Sequence, residues 1–575
     1  MKKLIIILSV AFLALLLVLG GLLIMTRPSA TPDLPVVEAP PETEPPTETT
    51  APPTEATTAP TEPEPEPETT EPLPTEPPFA PMSVDSSNPA NWDIQWSIIE
   101  NDTVVESFSR ADPIFFGEEY FQIPGVAGFR GGNYRTDASY GTADIQNGTI
   151  TQLWKKNVGY LETADWIGCG WTGQPLVAQW DAETRAIMNL YDEKKEKDGL
   201  VEAVYAKMDG YIHFIDMEDG SPTRDPLYVG WVFKGSGSLD PRGYPIVYLG
   251  AGLTKNGSVP QKIFAISLID GSTLYELSGY HPLAPRYWCG FDSGPLVHGE
   301  TDTLIYAGEN GLIYTIKLNT QYDKAAGTLT MAPDAPVMSS YTSSYTKSGR
   351  YAGYEASITA ADQYLYLGDN AGLIQCVNVN TMELVWAQSI LDDVNATPLF
   401  DWGTDGRGYL YAAPSVDYNR GEISLYKLDA QTGEILWTYD MKCSTDADAP
   451  GGMLASPLLG KNGTNLENII IFSVGRTPSP GKGQIFAFDK TTGELLWQLE
   501  TKNYIWSSPI ALYTEDGKGY IFQPDARGNC YLIDGATGEV VNTITLKQTT
   551  ESSPVAFGNH ILLGTRSAMY LFEIT

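Results

Sequence analysis

One short phrase returns along most of this chain: one or two small residues, a proline, then an apolar run. It reads GQPLV (173–177), SGPLV (293–297), ATPLF (396–400), ASPLL (455–459), SSPIA (507–511) and SSPVA (552–556). Degenerate copies, GSGSLD (235–240) and EASITA (355–360), fill the gaps, giving eight starts. A repeat constrains a fold more than composition does, because each copy must be one supersecondary unit stacked on its neighbours. A short apolar strand follows each start, as in IVYLGAG (246–252) and LYLGDNAG (365–372). A glycine-led alternating strand comes next, such as GYIHFID (210–216), GLIQCVN (372–378) and GQIFAFD (483–489). The last strand often carries tryptophan: ELVWAQ, EILWTY, ELLWQL. Four short strands per unit make a propeller blade. The pattern predicts an all-β, eight-bladed β-propeller of four-stranded antiparallel blades; a count of seven stays open if 235–275 is not a blade.

The joint between the third and fourth strands is the sharpest local signal. In AFDKTTGELLW (487–497), Asp489 is placed to accept from amides two residues on, and Gly493 to take the positive φ of a tight turn. Asp429, Gly433 and Trp437 repeat the arrangement; DGATGEVVN (534–542) keeps the turn without the tryptophan. CVNVNTMELVW (376–386) keeps Trp386 but has Asn378 and Met382 in place of Asp and Gly. These rings are expected to pack between blades. Ala487, Asp489, Thr492, Gly493 and Trp497 match the docking motif of the PQQ-like repeat, so the chain resembles the eight-bladed quinoprotein-alcohol-dehydrogenase-like and BamB-like propellers. The resemblance covers about 125–575, and FRGGNYRTD (129–137) looks like the leading segment of such propellers.

Ring closure follows from two orphans. The last copy ends at Thr575 without a fourth strand, and ITQLWKKNV (150–158), bearing Trp154, is a fourth strand with no blade before it. Pairing 150–158 with 566–575 completes the ring and removes an open edge. Residues 91–110 read as a hairpin turning at Glu100-Asn101-Asp102, within a β-rich extension at 81–124.

The N-terminal residues read differently. Lys2 and Lys3 precede 22 uncharged residues, Leu4 to Met25. As a helix these span about 33 Å, enough for a bilayer core. Residues 1–26 are therefore expected to be a cytoplasmic stub and single transmembrane anchor, with the rest outside by the positive-inside preference; a cleaved signal peptide is the rival. Residues 27–80 hold 17 of the 41 prolines and 12 acidic residues, and predict a disordered Pro/Thr/Glu stalk reaching at most about 170 Å. Localisation is accordingly expected at the cell membrane, with the propeller 125–575 on the extracellular face.

Formal charge is -35, the wrong sign for a nucleic-acid partner. The chain shows no HExxH, GxSxG, Walker or Rossmann pattern, and Asp401-Trp-Gly-Thr-Asp405-Gly lacks the oxygen ligands of an EF-hand. The resemblance implies, for the dehydrogenases, pyrroloquinoline quinone over Ca²⁺ beside a vicinal disulfide. None of Cys169, Cys289, Cys376, Cys443 and Cys530 is adjacent to another. No cofactor, metal or catalytic residue is assigned. The candidate binding loop is SSYTSSYTKSGRYAGYEAS (339–357), with Tyr341, Tyr345, Tyr351 and Tyr354; 438–453 is a second connection on the same rim. The expectation is a monomeric, non-catalytic surface scaffold for envelope proteins or cell-wall glycan. The alternatives are a quinone-dependent dehydrogenase and a polysaccharide-binding module.

Overall fold

Every copy of the proline phrase becomes the innermost strand of a blade. A computed structural model describes residues 79–575 except 162–166, 171–172, 253–258, 420 and 446–449. The expected anchor (1–26) and all but the end of the expected stalk lie outside the described residues. Among those described, no helix is long and apolar enough to cross a membrane. The innermost strands are Leu176–Gln179, Ser238–Leu239, Leu296–His298, Thr359–Ala361, Leu399–Trp402, Leu458–Leu459, Ile510–Tyr513 and Val555–Phe557. Both degenerate copies start true blades, and 235–275 belongs to the four-stranded sheet of Ser238–Leu239, Ile246–Gly250, Lys262–Ser267 and Thr273–Ser278. The ring therefore has eight blades, not seven.

The strand Ile150–Asn157 pairs antiparallel with Ala568–Ile574, setting Trp154 opposite Leu571. The seam is thus sewn by sequence from both ends of the propeller, as the two orphan strands require.

The proline phrase has a physical cause. The backbone N–H before the proline, or before Ile358 in the degenerate copy of blade 4, donates to a hydroxyl of the next blade: Gln174 to Ser236 (2.7 Å), Gly294 to Ser357 (2.7 Å), Ser357 to Thr397 (2.9 Å). The chain continues from Thr397 to Ser456 (3.0 Å), Ser456 to Ser508 (2.9 Å) and Ser508 to Ser553 (3.0 Å). Ser553 closes it on the Gly173 carbonyl at 2.9 Å. Two steps lack a hydroxyl acceptor, because the receiving residue is Gly294 from blade 2 to blade 3 and Gln174 from blade 8 to blade 1. Proline suits the following position because it brings no further N–H to satisfy at a crowded axis.

Residues 120–138 complete the centre. Each innermost strand spends one N–H on this segment. Gln179 donates to the Pro124 carbonyl, Leu239 to Ala127, Ala360 to Asn133, Phe400 to Tyr134, Leu459 to Thr136 and Ala556 to Ala138. Val297 donates to Tyr120 Oη and Ala511 to Asp137 Oδ1. Arg130 and Arg135, both fully buried, collect the carbonyls left over. Arg130 donates to Pro457 (2.9 Å), Pro509 and Thr136; Arg135 donates to Ile358 (2.8 Å), Phe129 (2.7 Å), Gly294 and Pro295. Burial lowers both guanidinium groups to about 10, so they remain charged at neutral pH.

The outer seams follow the docking motif. Asp489 Oδ1 accepts from the Thr491 and Thr492 amides at 3.0 and 2.8 Å; burial pushes its carboxyl up, but these bonds outweigh it and hold it below its usual value. Gly433, Gly493 and Gly538 take φ of 73°, 76° and 75°. A Cβ there would stand 2.7–2.9 Å from the rings of Trp386, Trp437 and Trp497 respectively. Trp154 occupies the same place on Gly220 of blade 1. The glycine thus serves the turn and the neighbour's tryptophan at once.

The extension at 81–124 adds outer strands to blade 3. Gln95–Glu100 pairs with the blade's fourth strand, Val337–Thr342, and turns back as Thr103–Val105 through Asn101 and Asp102, both at positive φ. Trp96 Nε1 donates to the Met382 carbonyl of blade 4 at 2.8 Å, supplying the docking tryptophan that blade 3 lacks.

Candidate functional site

In an antiparallel four-stranded blade, the connection to the next blade and the turn between the second and third strands lie at the same end. Around the ring these loops build one face, a funnel leading to the hydroxyl belt. The loop 339–357 approaches this face, but two of its tyrosines do not display their rings. Tyr341 lies in the strand Val337–Thr342 and donates its hydroxyl to buried Asp369. Tyr354 is fully buried and donates to Gln375 at 2.9 Å. Their side chains are core, which corrects the expectation of a four-tyrosine binding loop. Tyr345, in the one-turn helix Ser344–Lys347, is half-buried and bonded to Ser389 at 2.9 Å. Tyr351 alone is well exposed, at 54%. The second expected connection, 438–453, is mostly the strand Ile435–Cys443 and a short pairing at Gly451–Gly452, with 446–449 outside the described residues.

The displayed aromatics come instead from the loop between blades 2 and 3, GYHPLAPRYWCGFD (279–292). Tyr280, Tyr287 and Trp288 are exposed, Tyr287 at 86%, and Tyr280 meets Tyr287 edge to face. Two arginines lock this rim. Arg286 stacks on Tyr351, 4.3 Å from the ring centre. Arg350 sits between Tyr345 and Tyr418, 4.6 Å from each, and donates to the Ala371 and Leu391 carbonyls. The signal was present in the sequence, as aromatic and proline residues crowded between a strand and SGPLV.

Below the rim lies an acidic floor. Asp292, Glu309 and Asp393 are buried around half-buried Glu355, with Lys234 ion-paired to Asp292. Asn370 donates to Asp393 at 2.9 Å and to Glu355 at 3.3 Å; Asn395 donates to Asp393 at 2.9 Å. Burial first, then mutual repulsion, pushes the carboxyls of Glu309 and Asp393 well up, and burial also raises Glu355. Burial alone would lower the Lys234 ammonium, but the surrounding carboxylates overcome it and hold it above its usual range. Such a floor favours hydrogen-bond donors and cations over anions. Asp489, Thr492, Gly493, Trp497, Ala487, Asp429, Gly433, Trp437, Trp386 and Trp154 are all in the blade seams, away from this floor.

The family model described as "Outer membrane protein assembly factor BamB" matches residues 332–464 and 481–570. Over 207 residues the chain is 24% identical to BamB of Kangiella koreensis, covering 34% of this chain and 44% of that one. A 98-residue stretch is 30% identical to the beta-alanine-activating enzyme of Danio rerio, covering 16% of this chain and 8% of that one. The chain thus spans less than half the length of these curated relatives. Among solved structures, a europium-containing methanol dehydrogenase superposes with TM-score 0.52 and 11% identity, covering 78% of this chain and 98% of that one. The quinohemoprotein alcohol dehydrogenase of Comamonas testosteroni gives 0.51 and 13%, covering 80% and 81%. These likenesses establish the fold.

The neck of the ring has no room for the quinone of such dehydrogenases. The space at the neck, between Phe129, the belt hydroxyls, Asp292 and Glu355, is about 10 Å³, room for about one water. The five cysteines are buried and free, with no disulfide among the described residues.

Proposed function

We propose that this eight-bladed propeller of PQQ-like, BamB-like repeats is a non-catalytic binding scaffold for an envelope protein, held at the outer surface of the cell membrane by its N-terminal residues. The observation that carries the reading is the filled neck: the belt, Phe129 and the two arginines occupy the axis. Binding surface is then supplied by the rim and floor of the funnel. Exposed Tyr280, Tyr287 and Trp288 offer contact area at low conformational cost, and the carboxyls beneath select a partner segment bearing lysine, arginine or hydroxyl groups. The name of the BamB relative, an assembly factor, supports a protein partner. Lys2 and Lys3 before 22 apolar residues, followed by the Pro/Thr/Glu stretch, support the anchor and the address.

A photo-crosslinking residue placed at Tyr287 in cells tests this. It is expected to trap one discrete protein partner, whereas the same residue at exposed Leu496 on the outer edge of blade 6 traps none. Equal capture at both positions would refute the funnel face as the binding surface. The dehydrogenase reading makes the opposite forecast: added quinone and Ca²⁺ would give a bound-cofactor absorbance and dye reduction.

A further inference from the structure

The opposite face carries a second feature, independent of the funnel. A cavity of about 590 Å³ opens between the leading segment and the ends of the innermost strands of blades 5, 6 and 7. Its aromatic wall is Tyr134, Phe400 and Trp402. Trp402 Nε1 donates to Tyr134 Oη at 2.9 Å, which fixes both side chains and leaves the phenol proton unspent. Phe400 and Phe79 brace Trp402 edge-on at 5.0 and 4.9 Å, while Tyr134 tilts against Phe400 at 5.0 Å. Tyr140, stacked on Phe557 and exposed, stands at the mouth.

The polar groups divide into spent and unspent. Asp137 is spent: Oδ1 accepts from the Ala138 and Ala511 amides, and Oδ2 from Ser139. Tyr513 Oη accepts from the Lys461 amide at 3.0 Å. Asp401 is spent too: Oδ1 accepts from Lys490 at 3.2 Å, and Oδ2, 3.0 Å from the same ammonium, is buried out of reach of solvent. Glu118 and Asn462 line the exposed side.

We infer that this cavity binds a neutral pyranose-type saccharide, one or two rings long, with the apolar ring face against Trp402 and Tyr134 and hydroxyls directed to Tyr134 Oη, Glu118 and Asn462. The volume lies in the range of small-molecule sites. Fixed aromatic rings facing carboxylate and amide acceptors suit a ligand with an apolar face and a rim of hydroxyl donors. An apolar peptide anchor would want an aliphatic slot, and among the described residues Leu459 is the sole large aliphatic one lining this cavity. With Asp401 paired to Lys490, Glu118 and Asp137 outnumber the lining cation Lys461 and disfavour an acidic ligand.

The test uses the full-length chain in a detergent without a sugar headgroup, with cellobiose and chitobiose as probes and saturation-transfer NMR as the readout. Saturation is expected on the ring C–H protons of at least one disaccharide. Affinity should fall about tenfold in Trp402→Ala, the effect of losing one ring contact. Tyr134→Phe, which keeps the ring and the fold, should weaken binding severalfold and decides the matter if Trp402→Ala does not fold. Digalacturonate should bind more weakly than either neutral sugar. No transfer from either disaccharide, transfer unchanged in Tyr134→Phe, or tighter binding of digalacturonate would each overturn the inference.

Discussion

Blades 4 to 6 and blades 1 to 3 solve the same packing problem with different chemistry. In blades 4 to 6 a tryptophan of the outer strand seats on the next blade's turn glycine. Blade 1 seats Leu227 on Gly271 instead, and buries an ion pair in which Arg224 holds Glu202 with bonds of 2.7–3.1 Å. Blade 3 borrows Trp96 from a segment that precedes the whole ring. The lesson is that the outer seam demands apolar area against a turn, and the motif is one way of meeting that demand.

Removing the most buried of these rings should have the largest effect. Trp386 is fully buried, and Trp386→Ala should destabilise the chain by about 4 kcal/mol, read as a shifted urea midpoint at unchanged slope. Trp96→Ala sharpens the comparison, because it asks whether a borrowed ring carries the same duty. Being half-buried, it should cost about 2 kcal/mol; a loss near zero would make the hairpin an ornament on blade 3.

The smallest expected effect is a pH dependence at the seam between blades 3 and 4. Burial pushes Asp369 up to about 6, despite the bonds it accepts from Tyr341, Gln375 and nearby amides. An unfolded aspartate titrates near 3.9. Between those values the folded chain keeps a proton that the unfolded chain has lost. Stability from this group therefore falls as pH rises from about 4 to about 6. Asp369→Asn should flatten that part of the wild-type stability profile; an unchanged profile would show that Asp369 is ionised throughout.

The same contrast governs what could be read from the sequence. The eight starts, the turn acceptors Asp429 and Asp489, and the strand around Trp154 were legible because local spacing dictates them. The belt was visible as a phrase, but not its purpose, since the partner of Ser456 is Ser508, 52 residues away. Arg130 and Arg135 looked like ordinary leading-segment residues; their partners lie on blades 3, 4, 6 and 7. Tyr341 and Tyr354 misled because a Ser/Gly-rich stretch reads as loop, while Asp369 and Gln375, which draw their hydroxyls inward, belong to the next blade. Side-chain direction across a blade seam is set by tertiary packing that one strand's pattern does not encode.

The ring and its shared eighth blade are what everything else stands on. Hydrogen exchange of the amides in Ile150–Asn157 and Ala568–Ile574 measures that seam directly. The account predicts that amides bonded across the pair are protected alike, at the level of global unfolding. Rapid exchange in Ile150–Asn157 while Ala568–Ile574 stays protected would contradict it.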